Sequence, residues 1–453
     1  LHEWIVSFDL NSLYPHLIMQ YNISPETFIG VEPKAVGVEN FLDERLNLKW
    51  AKDKNVTIAP NGAMFKRDKQ GFLAELMEKM YTERVVFKQK AIEAKKEFQK
   101  TKDPIYSNEI ARCHNIQMAK KISLNSAYGA IGNQYFRYFD VKQAEAITLG
   151  GQLSIRWVER DVNRFMNKIL NTNNVNYVVA SDTDSIYLRL DKLVEKVCKD
   201  KTVNQIVDFL DKAARDKIQK VIDDSFENLA KYVNAYQQKM IMKREAIANK
   251  GIWVAKKRYM MNVFDEEGVR YDVPKLKIMG VEAVKSSTPE VCRGKIKDAI
   301  RVIMNDTEDN LIKFVSDFKE VFKTLSPEEV AFPRSCNNLN RYIDSSSIYK
   351  KGTPIHVKGA LIYNHYIYKN KLERKYPLIK DGDKIKFLML KMPNTVKDTV
   401  ISFSTKIPYE FNLHKYVDYD MQFEKTFTDP LKFILDSIGW KLEREATLEA
   451  FFG

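Results

Sequence analysis

Residues 177–188 read YVVASDTDSIYL, so an acidic turn lies between two short apolar runs. Two apolar runs that flank a tight polar turn predict a β-hairpin. Asp182 and Asp184 are two positions apart and point the same way from an extended backbone. The alternative is an Asx-turn, in which an Asp side chain bonds to its own backbone. Both interpretations remain open on spacing alone.

A second apolar run, WIVSFDL at residues 4–10, also ends beside an acid, Asp9. It predicts a buried strand, where a carboxylate is unexpected unless it is paired or binds a metal. If this strand lies beside the hairpin, three carboxylates meet at one sheet edge and repel one another. Mg²⁺ is bound by one or two carboxylates together with water and phosphate oxygens. The pattern therefore favours a divalent-cation site.

Helical periodicity begins at Phe72, where apolar residues recur at intervals of three, four and seven. Asp103-Pro104 is predicted to end this helix. A second helix is predicted to begin with Ser107 as its N-cap and to run to about Gly129. Two long helices joined by a short loop predict an antiparallel helical hairpin. Further helices are predicted over 142–170, 203–237 and much of 281–325, and strands over 253–263.

Cations recur at helical spacing on both helices of this hairpin. Arg84 and Lys88 share one face of the first helix, and Lys121, Asn125 and Tyr128 share one face of the second. If the two faces oppose each other, they form a basic cleft suited to a triphosphate. A solvated helix face is the alternative, and spacing alone favours it.

Two more local patterns carry chemistry. Tyr128-Gly129 predicts a helix that ends on a left-handed glycine, where backbone can approach a ligand. Lys256–Tyr259 (KKRY) is a basic cluster on a predicted strand, suited to a phosphate backbone.

Composition narrows the class of protein. The chain has 453 residues, with 73 Lys+Arg against 60 Asp+Glu and a formal net charge of +13, which is compatible with polyphosphate partners. Its four cysteines lie far apart in sequence, which argues against a disulfide framework or a zinc module. We expect a soluble protein of about three domains, because no apolar run reaches the ~18 residues of a membrane span.

The motifs together resemble those of family B DNA polymerases. The matching segments are Asp9–Pro15 (DLNSLYP), Lys121–Gly129 (KISLNSAYG), Ser181–Ser185 (SDTDS) and Lys256–Tyr259. Pro274–Gly280 and Lys285–Pro289 further resemble replicative enzymes of T-even-type bacteriophages. The resemblance implies an α+β right-hand fold with a mixed α/β palm around an antiparallel sheet, helical-hairpin fingers and a mainly helical thumb. The implied domains are palm 1–70, fingers 71–133, palm 134–280 and thumb 281–453.

The resemblance also implies a DNA-directed DNA polymerase that uses two Mg²⁺ ions, primer–template DNA and dNTPs. Its implied catalytic residues are Asp9, Asp182 and Asp184, with Asp9, the Leu10 carbonyl and Asp184 as metal ligands and Glu245 as an accessory carboxylate. Its implied dNTP-binding residues are Ser12, Leu13, Tyr14, Arg84, Lys88, Lys121 and Asn125, of which Tyr14 excludes a 2′-hydroxyl. Tyr128 and Gly129 would abut the nascent pair, and Lys257 and Tyr259 would hold the primer–template.

Three expectations concern the chain's ends and its departure from the family. Residues 445–453 resemble a sliding-clamp-binding tail, with Leu448, Phe451 and Phe452 as its apolar contacts, although an aromatic end could also dock on its own core. Only eight residues precede Asp9, so we expect no proofreading exonuclease in this chain and a separate or removed N-terminal polypeptide. Ser181 replaces the usual glycine, so its backbone must avoid a left-handed conformation.

Two other classes of function compete with synthesis. A non-catalytic DNA-binding subunit could keep the fold, but it would not need the carboxylates and triphosphate cations. A nuclease or reverse transcriptase could use two metals, but Tyr14 and the helix at 121–129 favour deoxynucleotide addition. By its phage likeness, we expect the protein to act in the cytoplasm of an infected bacterial cell.

Overall fold

The computed structural model describes residues 1–344 and 346–442, with backbone alone at residues 95, 96, 99 and 100. The fold is α+β, as predicted, with helices and antiparallel sheets. The strands are β1 His2–Leu10, β2 Phe28–Val31, β3 Val56–Ile58, β4 Ala63–Lys66, β5 Val178–Asp182, β6 Ser185–Arg189, β7 Met242–Ala255, β8 Arg258–Glu266, β9 Val269–Met279, β10 Phe332–Ser335, β11 Lys384–Met389 and β12 Val400–Phe403.

The long helices lie where they were predicted, except that the helix expected over 203–237 is divided into two and ends at Tyr232. They are α1 Leu13–Tyr21, α2 Val38–Leu42, α3 Lys49–Asp53, α4 Phe72–Thr101, α5 Pro104–Ile131, α6 Val141–Leu170, α7 Asp191–Val197, α8 Val203–Ala213, α9 Gln219–Tyr232, α10 Glu290–Asn305, α11 Glu308–Phe322, α12 Pro327–Val330, α13 Ile355–Lys369, α14 Tyr419–Phe423 and α15 Asp429–Leu435. A π-helical segment, Ala214–Ile218, joins α8 to α9. Within the described residues, no helix combines the length and apolar composition that a membrane span requires.

The chain divides into two compact units. The first comprises His2–Asn249 and Phe264–Val273, and the second comprises Leu1, Lys250–Val263 and the described residues from Pro274 onward. One six-stranded sheet has the order β5-β6-β1-β7-β8-β9. In the first unit β1 pairs antiparallel with β6, and β6 pairs antiparallel with β5. The residues Ile5 to Phe8 are all buried, because β1 is a central strand with both faces covered.

The helix that follows β1 packs against α6 at two adjacent glycines. A Cβ atom at Gly150 would lie 3.4 Å from Leu17 Cδ2, and one at Gly151 would lie 3.3 Å from Leu13 Cδ2. The absence of side chains at these positions lets α1 lie close to α6. This close packing sets where the first turn of α1 lies.

Helices α4 and α5 form the predicted hairpin, joined by Lys102 and Asp103. Lys102 has a φ of 57° and ends α4, while the Asp103 side chain accepts a hydrogen bond from the Ile105 N–H and caps α5. The prediction of Ser107 as N-cap was therefore wrong, because Pro104 is already suited to the first helical position. The predicted left-handed glycine at 129 was also wrong: α5 continues through Gly129 to Ile131.

The second unit has its own core of helices and a small sheet. Strands β10, β11 and β12 pair antiparallel, and α10 and α11 contribute buried apolar faces. Helix α13 packs on β12 so closely that a Cβ atom at Gly359 would lie 2.7 Å from the Ser402 backbone nitrogen. The predicted helical character of residues 281–325 is confirmed.

Candidate active site

Asp9 lies on β1, and Asp184 lies in the turn that leads into the neighbouring strand β6 of the first unit. Asp9 is paired with Ser185 across β1 and β6, and the Leu10 N–H donates a hydrogen bond of 2.7 Å to the Asp184 carbonyl. The Asp184 N–H donates to the Asp182 carbonyl at 2.6 Å, around Thr183 with a φ of 55°. The pairing of β1 with β6 therefore brings Asp9 and Asp184 to the same end of the sheet.

The hairpin also shows the backbone conformation at Ser181, the position where the family usually has glycine. Ser181 is paired with Ile186 inside the β5–β6 ladder, and the residue with the left-handed backbone is Thr183. The absence of the usual glycine therefore introduces no left-handed strain at position 181, as predicted.

Asp184 lies in an electrostatically unfavourable position for an anion. Burial raises the pKa of its carboxyl group, and the negative charges of Asp182 and Glu245 raise it further, while Lys121 acts in the opposite direction. A divalent cation at this position would offset both the desolvation and the repulsion.

Glu245 is held beside this site by a residue that sequence reasoning missed. The Ser7 hydroxyl donates to Glu245 Oε2 at 3.3 Å and accepts from the Ala246 N–H at 3.1 Å. Ser7 is fully buried, and it interrupts the apolar run WIVSFDL two residues before Asp9. A serine within a predicted buried strand could have indicated this contact, because a buried hydroxyl needs a hydrogen-bond partner.

The carboxylates do not form a compact metal cage. In residues 1–344 and 346–442, no group of three or more His, Cys, Asp and Glu side chains is arranged to hold one ion. Asp9, Leu10 and Asp184 instead line one cleft of about 710 Å³. Two carboxylates and a carbonyl fit Mg²⁺, which takes its remaining ligands from water and substrate phosphates.

The cations of the helical hairpin line this same cleft. Arg84 and Lys88 come from α4, and Lys121, Asn125 and Tyr128 come from α5. Ser12, Leu13 and Tyr14, from the start of α1, line it as well. The structure therefore brings every predicted dNTP-binding residue together with Asp9 and Asp184.

Arg84 is anchored to the start of α1. Its Nη1 donates to Ser12 Oγ at 2.8 Å, while its buried Nε has no hydrogen-bond partner among the described residues. Burial lowers the pKa of the guanidinium, with Tyr81 acting in the opposite direction. A half-buried guanidinium that lines the cleft is well suited to bind an oxyanion.

Two aromatic rings form one wall of the cleft. The rings of Tyr14 and Tyr128 lie 4.8 Å apart between centroids, at an interplanar angle of 49°. Burial raises the pKa of the Tyr14 hydroxyl, and Tyr128 and Asp184 raise it further. Behind Tyr14, a Cβ atom at Gly151 would lie 3.6 Å from its ring. The ring of Tyr14 is thus held between α5 and α6.

Comparison with known proteins identifies the family of this chain. A family model described as DNA polymerase family B matches residues 1–438. The chain belongs to DNA polymerase family B. It is 34% identical to a DNA-directed DNA polymerase of Escherichia phage RB69 and 31% identical to one of Enterobacteria phage T4, each match covering 100% of this chain and 55% of the relative. It is 26% identical to DNA polymerase 1 of Pyrococcus abyssi (strain GE5 / Orsay), covering 98% of this chain and 46% of the relative.

The chain spans about half the length of the curated relatives it matches. Within this family B chain, the KKRY segment lies in the second unit, at the turn between β7 and β8. Lys257 has a φ of 61°, and Tyr259 is buried and stacks on Trp253 with centroids 5.6 Å apart. The predicted clamp-binding residues Leu448, Phe451 and Phe452 lie outside the described residues.

Proposed function

We propose that this family B chain catalyses DNA-directed DNA synthesis, adding deoxynucleotides to the 3′ end of a primer on a template. The observation that supports it best is a single cleft shared by Asp9, Asp184, Arg84, Lys88 and Lys121. Carboxylates for divalent cations and cations for a triphosphate are the two charge sets that nucleotidyl transfer requires. The names of the phage relatives support the same activity.

Asp9, Asp184 and the Leu10 carbonyl would hold two Mg²⁺ ions, with Asp182 and Glu245 nearby. When bound, such ions lower the pKa of the primer 3′-hydroxyl and neutralise charge on the phosphates. The hydroxyl oxygen forms a bond to the α-phosphorus and gives its proton to water, while the bond from the α-phosphorus to the bridging oxygen breaks and pyrophosphate leaves. The raised pKa of Asp184 supports this assignment, because an anion in that environment is stabilised by a cation.

The chain's own residues hold and orient the nucleotide. Arg84 contributes a guanidinium that lines the cleft, and Lys88 and Lys121 add point charges. The Asn125 amide adds a hydrogen-bonding group on the same face as Lys121. The first-turn amides of α1, near Ser12 and Leu13, have no intrahelical partners and suit the same phosphate oxygens. Because little covalent work falls to the protein, positioning dominates.

Tyr14 would lie beneath the sugar and collide with a 2′-hydroxyl. The ring of Tyr14 contacts Tyr128 and packs closely at Gly151. These contacts favour this role, because a steric gate requires a ring that cannot move aside. Gly129 would leave room for the nascent base pair, because nothing lies within 4 Å of where its Cβ would be. Lys257 and Tyr259 would hold the primer–template, with Lys257 in direct contact and the buried Tyr259 supporting the turn.

We further propose the right-hand layout for this chain, with residues 1–70 and 134–280 as palm, 71–133 as fingers and 281–453 as thumb. The α4–α5 hairpin supports the fingers assignment, because its two helices carry the cations of the cleft. Helices α10 to α15, which all lie in the second unit, support the thumb assignment.

The decisive experiment is extension of a labelled primer–template with Mg²⁺ and dNTPs, comparing the wild-type protein with Asp184→Ala. We expect extension by the wild type and none by the variant. A labelled primer incubated without dNTPs reports exonuclease activity, which we expect to be absent. DNA binding without extension would favour the non-catalytic subunit, and Asp184-dependent shortening of the primer would favour a nuclease.

A further inference from the structure

One cation of the proposed triphosphate site already has an anionic partner within the chain. Lys88 Nζ lies 3.7 Å from Glu267 Oε1, and the two side chains are 47% and 63% exposed. Both residues line the 710 Å³ cleft together with Asp9 and Arg84. A phosphate that binds Lys88 must therefore compete with a carboxylate.

The backbone presents Glu267 to the cleft from a well-anchored turn. Glu267 has a φ of 51°, and its N–H donates to the Glu245 carbonyl at 2.7 Å. The next residue, Gly268, has a φ of 82° and donates its N–H to Asp265 Oδ1 at 3.0 Å. Asp265 is itself buried and paired with Arg244 and Arg270. The turn between β8 and β9 is thus held at both central residues.

The same pair also borders a second cavity. A space of about 910 Å³ is lined by the α4 residues Arg84 and Lys88, by Glu245 and Glu267, and by Arg215 of the π-helical segment. Because both spaces share Lys88 and Glu267, the ion pair lies where they meet. An anion that enters either space comes within reach of Lys88 and within the repulsive field of Glu267.

We propose that Glu267 is an affinity-setting residue for the incoming nucleotide: its carboxylate pairs with Lys88 in the nucleotide-free protein and is displaced by phosphate oxygens. The inference rests on the proposed polymerase function. Binding then exchanges one ion pair for another, so net affinity is lower than the cations alone would provide. Only a ligand with charge at Lys88 compensates for the broken pair, which disfavours ligands without phosphates.

The expected size of the effect follows from the exposure of the pair. Ion pairs that are half exposed contribute little, and removing the competing carboxylate should tighten nucleotide binding by about two- to fivefold. The gain should shrink as salt rises toward roughly 1 M, where the screening length is about 3 Å.

The test measures the dissociation constant of the next complementary dNTP on a primer–template whose primer ends in a dideoxynucleotide, so that no chemistry is required. We expect Glu267→Gln to tighten dNTP binding by about two- to fivefold. Glu266→Gln, which removes the same charge from the neighbouring residue, is the control and should leave dNTP binding unchanged. In a Lys88→Gln background, Glu267→Gln should have no effect, because the pair is already broken. Thermal unfolding of each variant checks that the fold is intact.

Unchanged or weaker binding by Glu267→Gln overturns the inference. An equal gain in dNTP affinity in the Lys88→Gln background also overturns it, because Glu267 would then repel the nucleotide without acting through Lys88. A wild-type protein that binds no dNTP on primed DNA contradicts the proposed function instead, so the two failures are distinguishable.

Discussion

The ring of Tyr14 lies 4.8 Å from that of Tyr128, centroid to centroid, although the two residues belong to different helices, α1 and α5. Tilted aromatic pairs at this distance contribute roughly 0.5–1.5 kcal/mol beyond their buried area. The pair therefore joins the start of α1 to the end of the helical hairpin, on the wall of the proposed nucleotide cleft.

Loss of the Tyr14 ring should relax sugar selection. We expect Tyr14→Ala to raise ribonucleotide incorporation, relative to deoxynucleotide incorporation, by at least about tenfold, or ~1.4 kcal/mol. Tyr14→Phe keeps the ring and is the control, with selectivity close to that of the wild type. Competitive primer extension measures the ratio of kcat/KM values. Unaltered selectivity in Tyr14→Ala would refute the gate.

Removal of the Asp184 charge should affect stability and activity in opposite directions. The folded-state pKa of Asp184 is raised, so above both its folded and unfolded values its charge destabilises the metal-free fold. We therefore expect Asp184→Asn to raise the thermal unfolding midpoint in EDTA at neutral pH while primer extension falls by roughly a thousandfold. Added Mg²⁺ should stabilise the wild type more than the variant. A lower midpoint for the variant in EDTA contradicts the electrostatic argument.

His16 should make stability depend on pH. Its ring is buried and donates a hydrogen bond from Nδ1 to the Ser12 carbonyl at 2.9 Å. It also contacts the ring of Tyr81 edge-on, with ring centroids 4.3 Å apart. Burial lowers the pKa of His16, and the charges of Lys239 and Arg84 lower it further, against the hydrogen bond to Ser12. The unfolded chain then binds a proton more readily than the folded one below about pH 6.5.

We expect the stability of the wild type to fall as pH decreases below about 6.5, because folding must then release that proton. At pH 8, His16→Gln should be less stable than the wild type by about 1–3 kcal/mol, since Ser12 loses a buried partner. The difference should narrow toward pH 5, and denaturant titrations across that range measure it. A constant difference would show that His16 does not titrate in this way.

Gly280 should control the turn that carries Lys257. Gly280 has a φ of +66°, and a Cβ atom there would lie 2.0 Å from the Lys257 carbonyl oxygen. We expect Gly280→Ala to destabilise the protein by about 2–4 kcal/mol and to weaken primer–template binding by shifting Lys257. Gly382→Ala is the matched control, because Gly382 has a φ of +86° with nothing within 4 Å. The control should lose only about 1–2 kcal/mol and keep its DNA affinity.

The clamp-binding tail remains a prediction from the sequence. We expect Phe451→Ala with Phe452→Ala to abolish stimulation of processivity by a sliding clamp while basal extension stays unchanged, because the tail pattern depends on its aromatic anchors. Product-length distributions on long primed templates, with and without clamp, measure this. Undiminished stimulation would favour docking of the tail on its own core.

Local sequence determined the elements and much of the chemistry. Spacing and turn residues, which depend on near neighbours, predicted the hairpin at 177–188 and the buried strand at the start of the chain. The same signals predicted the long helices that begin near residues 72 and 141 and the acids at the ends of apolar runs. Ser107 was assigned wrongly because Asp103 and Pro104 already start the helix, and Gly129 was assigned wrongly because α5 continues to the buried Ile131.

Tertiary structure decided which of these residues meet. Pairing of β1 with β6 brings Asp9 beside Asp184 across more than 170 residues of chain, and no local pattern specifies that pairing. The same is true of the Ser7–Glu245 hydrogen bond, the Arg84–Ser12 hydrogen bond, and the ion pair of Lys88 with Glu267. These contacts depend on the packing of distant elements into one core, whereas the sequence by itself determined that acids, cations and a tyrosine were available to meet.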